Sequence, residues 1–268
     1  MDIMNELPPQ HFTAVDDLLA FISIYDDRAR TDAYLNMLRA HAGDIRNRVC
    51  VDAGSGLGLF AEEMARLGAK KVYAIERNPA LYELCSTRLR TYPNVKCIQA
   101  DIRDWQPPEP VSVFVHDFFG QLLYDEDLYV LKNLPYSPGI FLPDRAELWV
   151  GSTRSQQLED GVVTRDVIAH LKGVLVSGLF DEEGLDLQQR VIEWRPGFFQ
   201  NEITVDVSRL EGDLLYFGLV LKDGEKVMCQ AGRCSNWSFV WTPRTGNRFR
   251  LKFEPSERGS AVYFEWVA

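Results

Sequence analysis

The sequence predicts an α/β domain built on a parallel sheet, followed by a region of antiparallel strands closing into a barrel or sandwich. Three observations predict it. Short apolar runs at residues 49–51, 72–75, 95–100 and 111–115 alternate with helical patterns, the order of a helix-covered parallel sheet. Each run ends at a polar or acidic residue: Asp52, Glu76, Asp101 and the pair His116-Asp117. From about Arg145 the texture changes to short β-rich segments, at 147–151, 214–221, 237–241, 249–253 and 262–266, separated by Gly, Pro and Asn turns.

The first α/β unit is the most informative. The run at 49–51 ends in Asp52 and breaks into Gly54-Ser55-Gly56-Leu57-Gly58. A helix follows, with Leu57, Phe60, Met64 and Leu67 on one face and Gly68 as its stop. The second strand ends in Glu76. Such a Rossmann-like turn lets a ligand approach bare backbone, and the second strand delivers a carboxylate that can bind a ribose diol. A dinucleotide fingerprint fails, because Leu59 stands where its third glycine belongs. The spacing Asp52-x-Gly54-x-Gly56-x-Gly58 instead resembles motif I of the class I S-adenosylmethionine-dependent methyltransferases. In that class the glycines admit the methionine part of the cofactor and the acid after the second strand takes the ribose hydroxyls. The alternative is a tight turn with no ligand.

Upstream, residues 1–10 carry Pro8-Pro9 and read as a loose entry segment. From about Thr13 the pattern is helical, with Leu18, Phe21, Ile22 and Tyr25 on one face, then Tyr34, Leu35 and Leu38 on a second helical stretch. Arg30 lies between these stripes. It reads either as a solvated helix charge or as a cation over the glycine loop, paired with a ligand's carboxylate. Downstream, Asn78-Pro79 marks a helix start. Asp101 with the Ile102 N–H can reach an adenine's amine and ring nitrogen, or Asp101 is a turn residue. Asp117 follows the fourth strand, where ligands of open parallel sheets bind. Glu126 returns to it if the intervening residues make a hairpin-like loop, although Asp125 and Asp127 also suit a solvated helix start. His116 reads as a packing residue rather than a base.

This order of pieces resembles the protein arginine methyltransferase family over nearly the whole chain. Asp27-Arg28-Ala29-Arg30-Thr31 matches the family helix whose arginine holds the cofactor carboxylate. His116-Asp117-Phe118-Phe119-Gly120 with Glu126 looks like the family's two-glutamate hairpin. Phe141-Leu142-Pro143-Asp144-Arg145-Ala146-Glu147-Leu148-Trp149 is like the opening of its barrel, whose proline is cis. Ser235-Asn236-Trp237 stands in place of the barrel's Thr-His-Trp loop.

The resemblance implies S-adenosyl-L-methionine as cofactor, held by Arg30, Asp52, Gly54, Gly56, Gly58, Glu76, Asp101 and Ile102. It implies Asp117 and Glu126 as the catalytic carboxylates, and Asn236 and Trp237 at the substrate, with Trp237 equally suited to a barrel core. The implied organisation is N-terminal helices over 1–45, a cofactor domain over 46–143 and a β-barrel substrate domain over 144–268. Four departures stand out. Asp117 is one methylene shorter than glutamate, and Asn236 replaces histidine. A tyrosine-rich lid motif is not evident between Phe12 and Tyr25. The 150–205 region is short for a dimerisation arm, though 178–187 can hold a reduced one. The expected activity is N-methylation of an arginine-type guanidino nitrogen. Methylation of a small guanidine or amine is the first alternative, and a non-catalytic cofactor-binding relative the second.

Composition bounds the partners. A formal net charge of −10 argues against binding a nucleic-acid backbone and accommodates a cationic protein, peptide or small-molecule substrate. The five cysteines, Cys50, Cys85, Cys97, Cys229 and Cys234, are scattered without metal-ligand spacing, and reduced thiols in a cytoplasmic protein are expected. No apolar run is long enough to span a membrane and the first residues are not a signal peptide. Whether two chains form a homodimer is not fixed by the sequence.

Overall fold

The computed structural model describes residues 9–159, 162–180, 182–256 and 259–268. The expected entry segment at 1–10 lies largely outside them. The chain divides into two compact units. The first runs to Asp117 and takes in Leu134–Pro143; the second comprises Phe118–Asn133 and Asp144–Ala268.

In the first unit, helices α1 (Pro9–Asp26), α2 (Arg28–Ala40) and α3 (Ala42–Ile45) precede strand β1 (Val49–Ala53). Then come α4 (Leu59–Arg66), β2 (Lys71–Glu76), α5 (Pro79–Leu89), β3 (Val95–Gln99), β4 (Val113–His116) and β5 (Ile140–Leu142). The strands form a sheet in the order β3-β2-β1-β4-β5, every pairing parallel. The chain reverses direction across the sheet between β1 and β4, so the ends of these two neighbours flank a crevice. Residues of β1 and β4 are buried throughout, as continuous apolar runs in a sheet covered on both faces must be. Asp27 caps α2 by accepting the Arg30 N–H (3.1 Å), and Asn78 caps α5 through the Ala80 and Leu81 amides. His116 is fully buried beside Phe114 and Phe141, and burial holds its imidazole down at about 3. A packing residue is what that environment makes of it.

In the second unit, β6 (Arg145–Thr153) leads to α6 (Arg165–Ala169), β7 (Val176–Ser177), β8 (Gln189–Trp194) and β9 (Glu202–Asp206). The remaining strands are β10 (Leu214–Asp223), β11 (Lys226–Gln230), β12 (Val240–Pro243), β13 (Arg248–Pro255) and β14 (Ser260–Val267). One antiparallel sheet runs β7-β12-β10-β6-β8 with β11 also on β10; another runs β14-β13-β9. Phe217 of β10 meets Phe249 of β13 (5.4 Å between centroids) and Phe264 of β14 (6.0 Å), so the sheets share an aromatic core. The ladders of the described residues form two sheets, not one closed ring. The Leu142–Pro143 bond is cis, as the family pattern implies.

Two expectations for this unit are corrected. Residues 237–239 are not strand: the Gly232 N–H donates to the Trp237 carbonyl and the Trp237 N–H to the Cys234 carbonyl, folding the segment into a loop before β12. Cys229 and Cys234 are not free thiols but a disulfide that staples that loop to β11. Cys50, Cys85 and Cys97 are free.

Candidate functional site

The glycine loop after β1 departs from ordinary backbone at Gly54, Gly56 and Gly58, with φ of 68°, 51° and 79°. L-residues adopt these angles only at a cost, and a Cβ on Gly56 would stand 2.6 Å from the Phe21 ring. Asp52, only 1% exposed, accepts the Ala61 N–H in the first turn of α4 (2.9 Å). Burial pushes its carboxyl up to about 7. The Ala61 bond opposes that rise, and the nearby Glu76 and Asp117 charges add to it. Glu76 closes β2 with both oxygens on backbone amides, Oε2 on Gly56 and Oε1 on Asn78, each at 2.8 Å. The loop and the end of the second strand are thus joined directly.

The helices before β1 reach the same place. The Tyr25 hydroxyl accepts the Leu57 N–H (3.2 Å) and donates to the Ser55 carbonyl (3.4 Å), while Phe21 covers Gly56. Sequence reasoning missed Tyr25 as a site residue. The signal was present, since Phe21 and Tyr25 share an i,i+4 face, but such a face reads equally as core. Arg30, on the first turn of α2, directs its guanidinium at Asp117, with Nε 2.9 Å and Nη2 2.5 Å from Oδ2. Tyr34 donates to Asp117 Oδ1 at 2.7 Å and stacks on Phe60 (4.8 Å, 13°). Arg30 and Asp117 side chains are 6% and 14% exposed, so this pair is screened far less than a surface one. Tyr34 is the second residue missed; it too lay on an apolar stripe. Of the two readings of Arg30, the solvated charge is excluded by its burial.

Asp101 is turned to Arg103, which reaches it with Nε at 3.0 Å and Nη2 at 2.7 Å and holds its carboxyl below the usual range. Glu76 pairs with Gln99, two residues before Asp101, and its carbonyl accepts the Ala100 N–H (3.1 Å). Ile102 is buried. The first unit therefore brings Arg30, Asp52, Gly54, Gly56, Gly58, Glu76 and Asp117 to one edge of its sheet, with Asp101 and Ile102 at the next strand's end. That edge is anionic, bare in its backbone and rich in acceptors, which suits a cationic ligand carrying hydroxyls.

Glu126, Asn236 and Trp237 belong to the second unit. Glu126 is exposed, between Asp125 and Asp127. Asp125 accepts the Leu122 N–H (2.8 Å) and fills the space beside Gly120, where a Cβ would stand 2.1 Å from its Oδ1. Asp127 accepts the Gly259 N–H (3.1 Å). Phe119 lies edge-on to Trp194 (5.4 Å), and Tyr124 stacks on Tyr129 (4.8 Å) and abuts Phe253 (5.2 Å). Asn236 is half-buried and Trp237 only 2% exposed. Among the described residues no group of three His, Cys, Asp or Glu side chains is arranged to hold a metal, and no helix is long and apolar enough to cross a membrane.

Known proteins share this architecture. The ribosomal RNA adenine dimethylase family matches residues 34–143, from α2 to the cis proline. Protein arginine N-methyltransferase PRMT10 of Oryza sativa subsp. japonica is 30% identical over 151 residues, covering 54% of this chain and 40% of that protein. The chain thus aligns with well under half the length of that relative. A crystal structure of PRMT6 superposes with a TM-score of 0.69 at 16% identity, covering 93% of this chain and 99% of that one. The Trypanosoma brucei PRMT1 enzyme–prozyme heterotetrameric complex with AdoHcy gives 0.65 at 14% identity, covering 93% of each chain. At such identities the structures speak for the fold and the aligned relatives for descent. With a glycine loop, a carboxylate after the second strand and an antiparallel second unit in one order, the chain is similar in sequence to protein arginine N-methyltransferases over about half its length and shares the fold of their solved structures.

Proposed function

We propose that this protein is an S-adenosylmethionine-dependent N-methyltransferase acting on an arginine-type guanidino nitrogen held between Asp117 and Glu126. The observation that carries the reading is the mounting of Asp117 at the end of β4, its two oxygens fixed by Arg30 and Tyr34. A carboxylate so braced is oriented before any substrate arrives. The arginine methyltransferase names of the aligned relatives and the AdoHcy in the trypanosomal complex support the same acceptor and cofactor class.

The residues present fit the cofactor. Bare backbone at Gly54, Gly56 and Gly58 and the carboxylate of Glu76 meet at one rim. In this reading Arg30, Asp52 and the glycines frame the methionine portion, Glu76 the ribose, and Asp101 with the Ile102 amide the adenine. When bound, the cofactor supplies a methyl group on a positively charged sulfur. Asp117 and Glu126 fix the plane of the guanidinium and draw positive charge onto the nitrogens they touch. The remaining nitrogen keeps more of its lone pair for in-line attack. It sheds its proton to water.

Residues 1–45 then serve as a cap, 46–143 as the cofactor domain and 144–268 as the substrate domain, with Asn236 and Trp237 near the acceptor. The partner expected is a protein or peptide bearing exposed arginine; a cytoplasmic setting and pairing of two chains belong to the same proposal. The net charge of −10 supports a cationic substrate. Incubation with labelled S-adenosylmethionine and a panel of arginine-rich peptides, free arginine, other guanidines and amines tests it by product mass. Methylated peptide arginine is expected. Product from free guanidines alone moves the acceptor to small molecules, and no product from any guanidine removes the reading.

A further inference from the structure

Beside the glycine loop lie two thiols that the functional reading leaves unused, Cys85 touching it and Cys97 touching Cys85. Cys85, on α5, and Cys97, on β3, bring their Sγ atoms to 3.6 Å. Cys85 Sγ is also 3.7 Å from the Ser55 hydroxyl and 2.8 Å from where a Cβ on Gly58 would stand. Cys85 is fully buried, whereas Cys97 is half-buried and open to a small oxidant. The contact between the two thiols lowers the Cys97 pKa from its ordinary value, which favours its thiolate.

We propose that Cys85 and Cys97 form an oxidisable dithiol, a modification site for hydroperoxides, whose closure to a disulfide disturbs the glycine loop that Cys85 supports. The Cys97 thiolate attacks a peroxide oxygen; the O–O bond breaks and hydroxide leaves, giving a sulfenic acid. The Cys85 sulfur then attacks Cys97 sulfur, the S–O bond breaks, and the hydroxyl departs as water with the proton Cys85 gives up. Two thiols and one hydrogen peroxide become one disulfide and two waters. Closure draws the sulfurs from 3.6 Å to about 2.05 Å. The contacts of Cys85 with Ser55 and Gly58 are the ones that change. Nothing in this rests on the identity of the cofactor.

The test uses the full chain treated with hydrogen peroxide, blocked with a thiol reagent and digested with trypsin. Arg88, Arg90 and Lys96 separate the two cysteines, so the bond joins two otherwise distinct peptides. A cross-linked pair that dithiothreitol releases is expected, with amide hydrogen exchange over residues 54–60 at least tenfold faster in the oxidised protein. Cys97→Ser should give neither change under peroxide. Absence of the cross-linked pair, or a cross-link with unaltered exchange over 54–60, overturns the proposal.

Discussion

The loop at 54–58 in the first unit and the turn at 120–127 in the second are both short, glycine-containing and crowded by carboxylates, yet they deploy those carboxylates differently. Around the loop every acid on the rim is engaged: Asp52 on Ala61, Glu76 on Gly56 and Asn78, Asp117 on Arg30 and Tyr34. In the turn Asp125 accepts the Leu122 N–H and Asp127 the Gly259 N–H, on either side of the exposed Glu126. A carboxylate used as a brace contributes stability; one placed to meet substrate contributes to turnover. The difference separates residues whose loss unfolds the chain from residues whose loss should silence it.

That division can be broken by substitution. Glu126→Gln is expected to lower methyl transfer by roughly a thousandfold, the upper range for losing one charge-stabilising group, out of proportion to any change in melting temperature. A matching fall in stability would place Glu126 among the braces. Asp52→Asn sharpens the comparison from the other side. Its carboxyl is lifted from the ordinary 3.8 to about 7, so its favourable contribution is complete below the unfolded value and is lost as pH rises through 7. Urea unfolding should show the variant gaining on the parent by roughly 3 kcal/mol between pH 5 and pH 8, since a shift of one pKa unit is about 1.4 kcal/mol. A difference that does not vary with pH removes the buried-acid account. Asp125→Ala should cost about 1–3 kcal/mol by stranding the Leu122 amide and emptying the space beside Gly120. Tyr25→Phe, which deletes two weaker bonds to the loop, should cost about 1 kcal/mol and weaken S-adenosylhomocysteine several-fold by calorimetry.

Much of the first unit was legible because its signals are local. Uninterrupted β-branched strands, Asn78-Pro79 and the glycine spacing each determine their own backbone. Tyr25 and Tyr34 were not legible, because their hydroxyls act on residues 30 or more positions away while their rings look like core. In the second unit alternation marked β13, where Phe249, Leu251 and Phe253 turn inward. It did not mark the full burial of β10 from Leu214 to Leu221, which takes neighbours on both faces. The strand expected at 237–239 failed for a related reason. Its aromatics are buried by a stapled loop rather than by a ladder, and the Cys229–Cys234 pairing that makes the staple carries no spacing signature.

Residues 118–133 belong to the second unit although the chain on both sides of them belongs to the first. The partners of Phe119 and Tyr124 in this excursion, Trp194 and Phe253, are encoded 75 and 129 positions later. A nascent chain that has completed β5 therefore already holds its parallel sheet but carries Phe119 and Tyr124 uncovered. No cut at a single peptide bond yields two self-sufficient halves, and expression of residues up to 143 alone would leave a greasy, ill-formed bulge in place of the excursion.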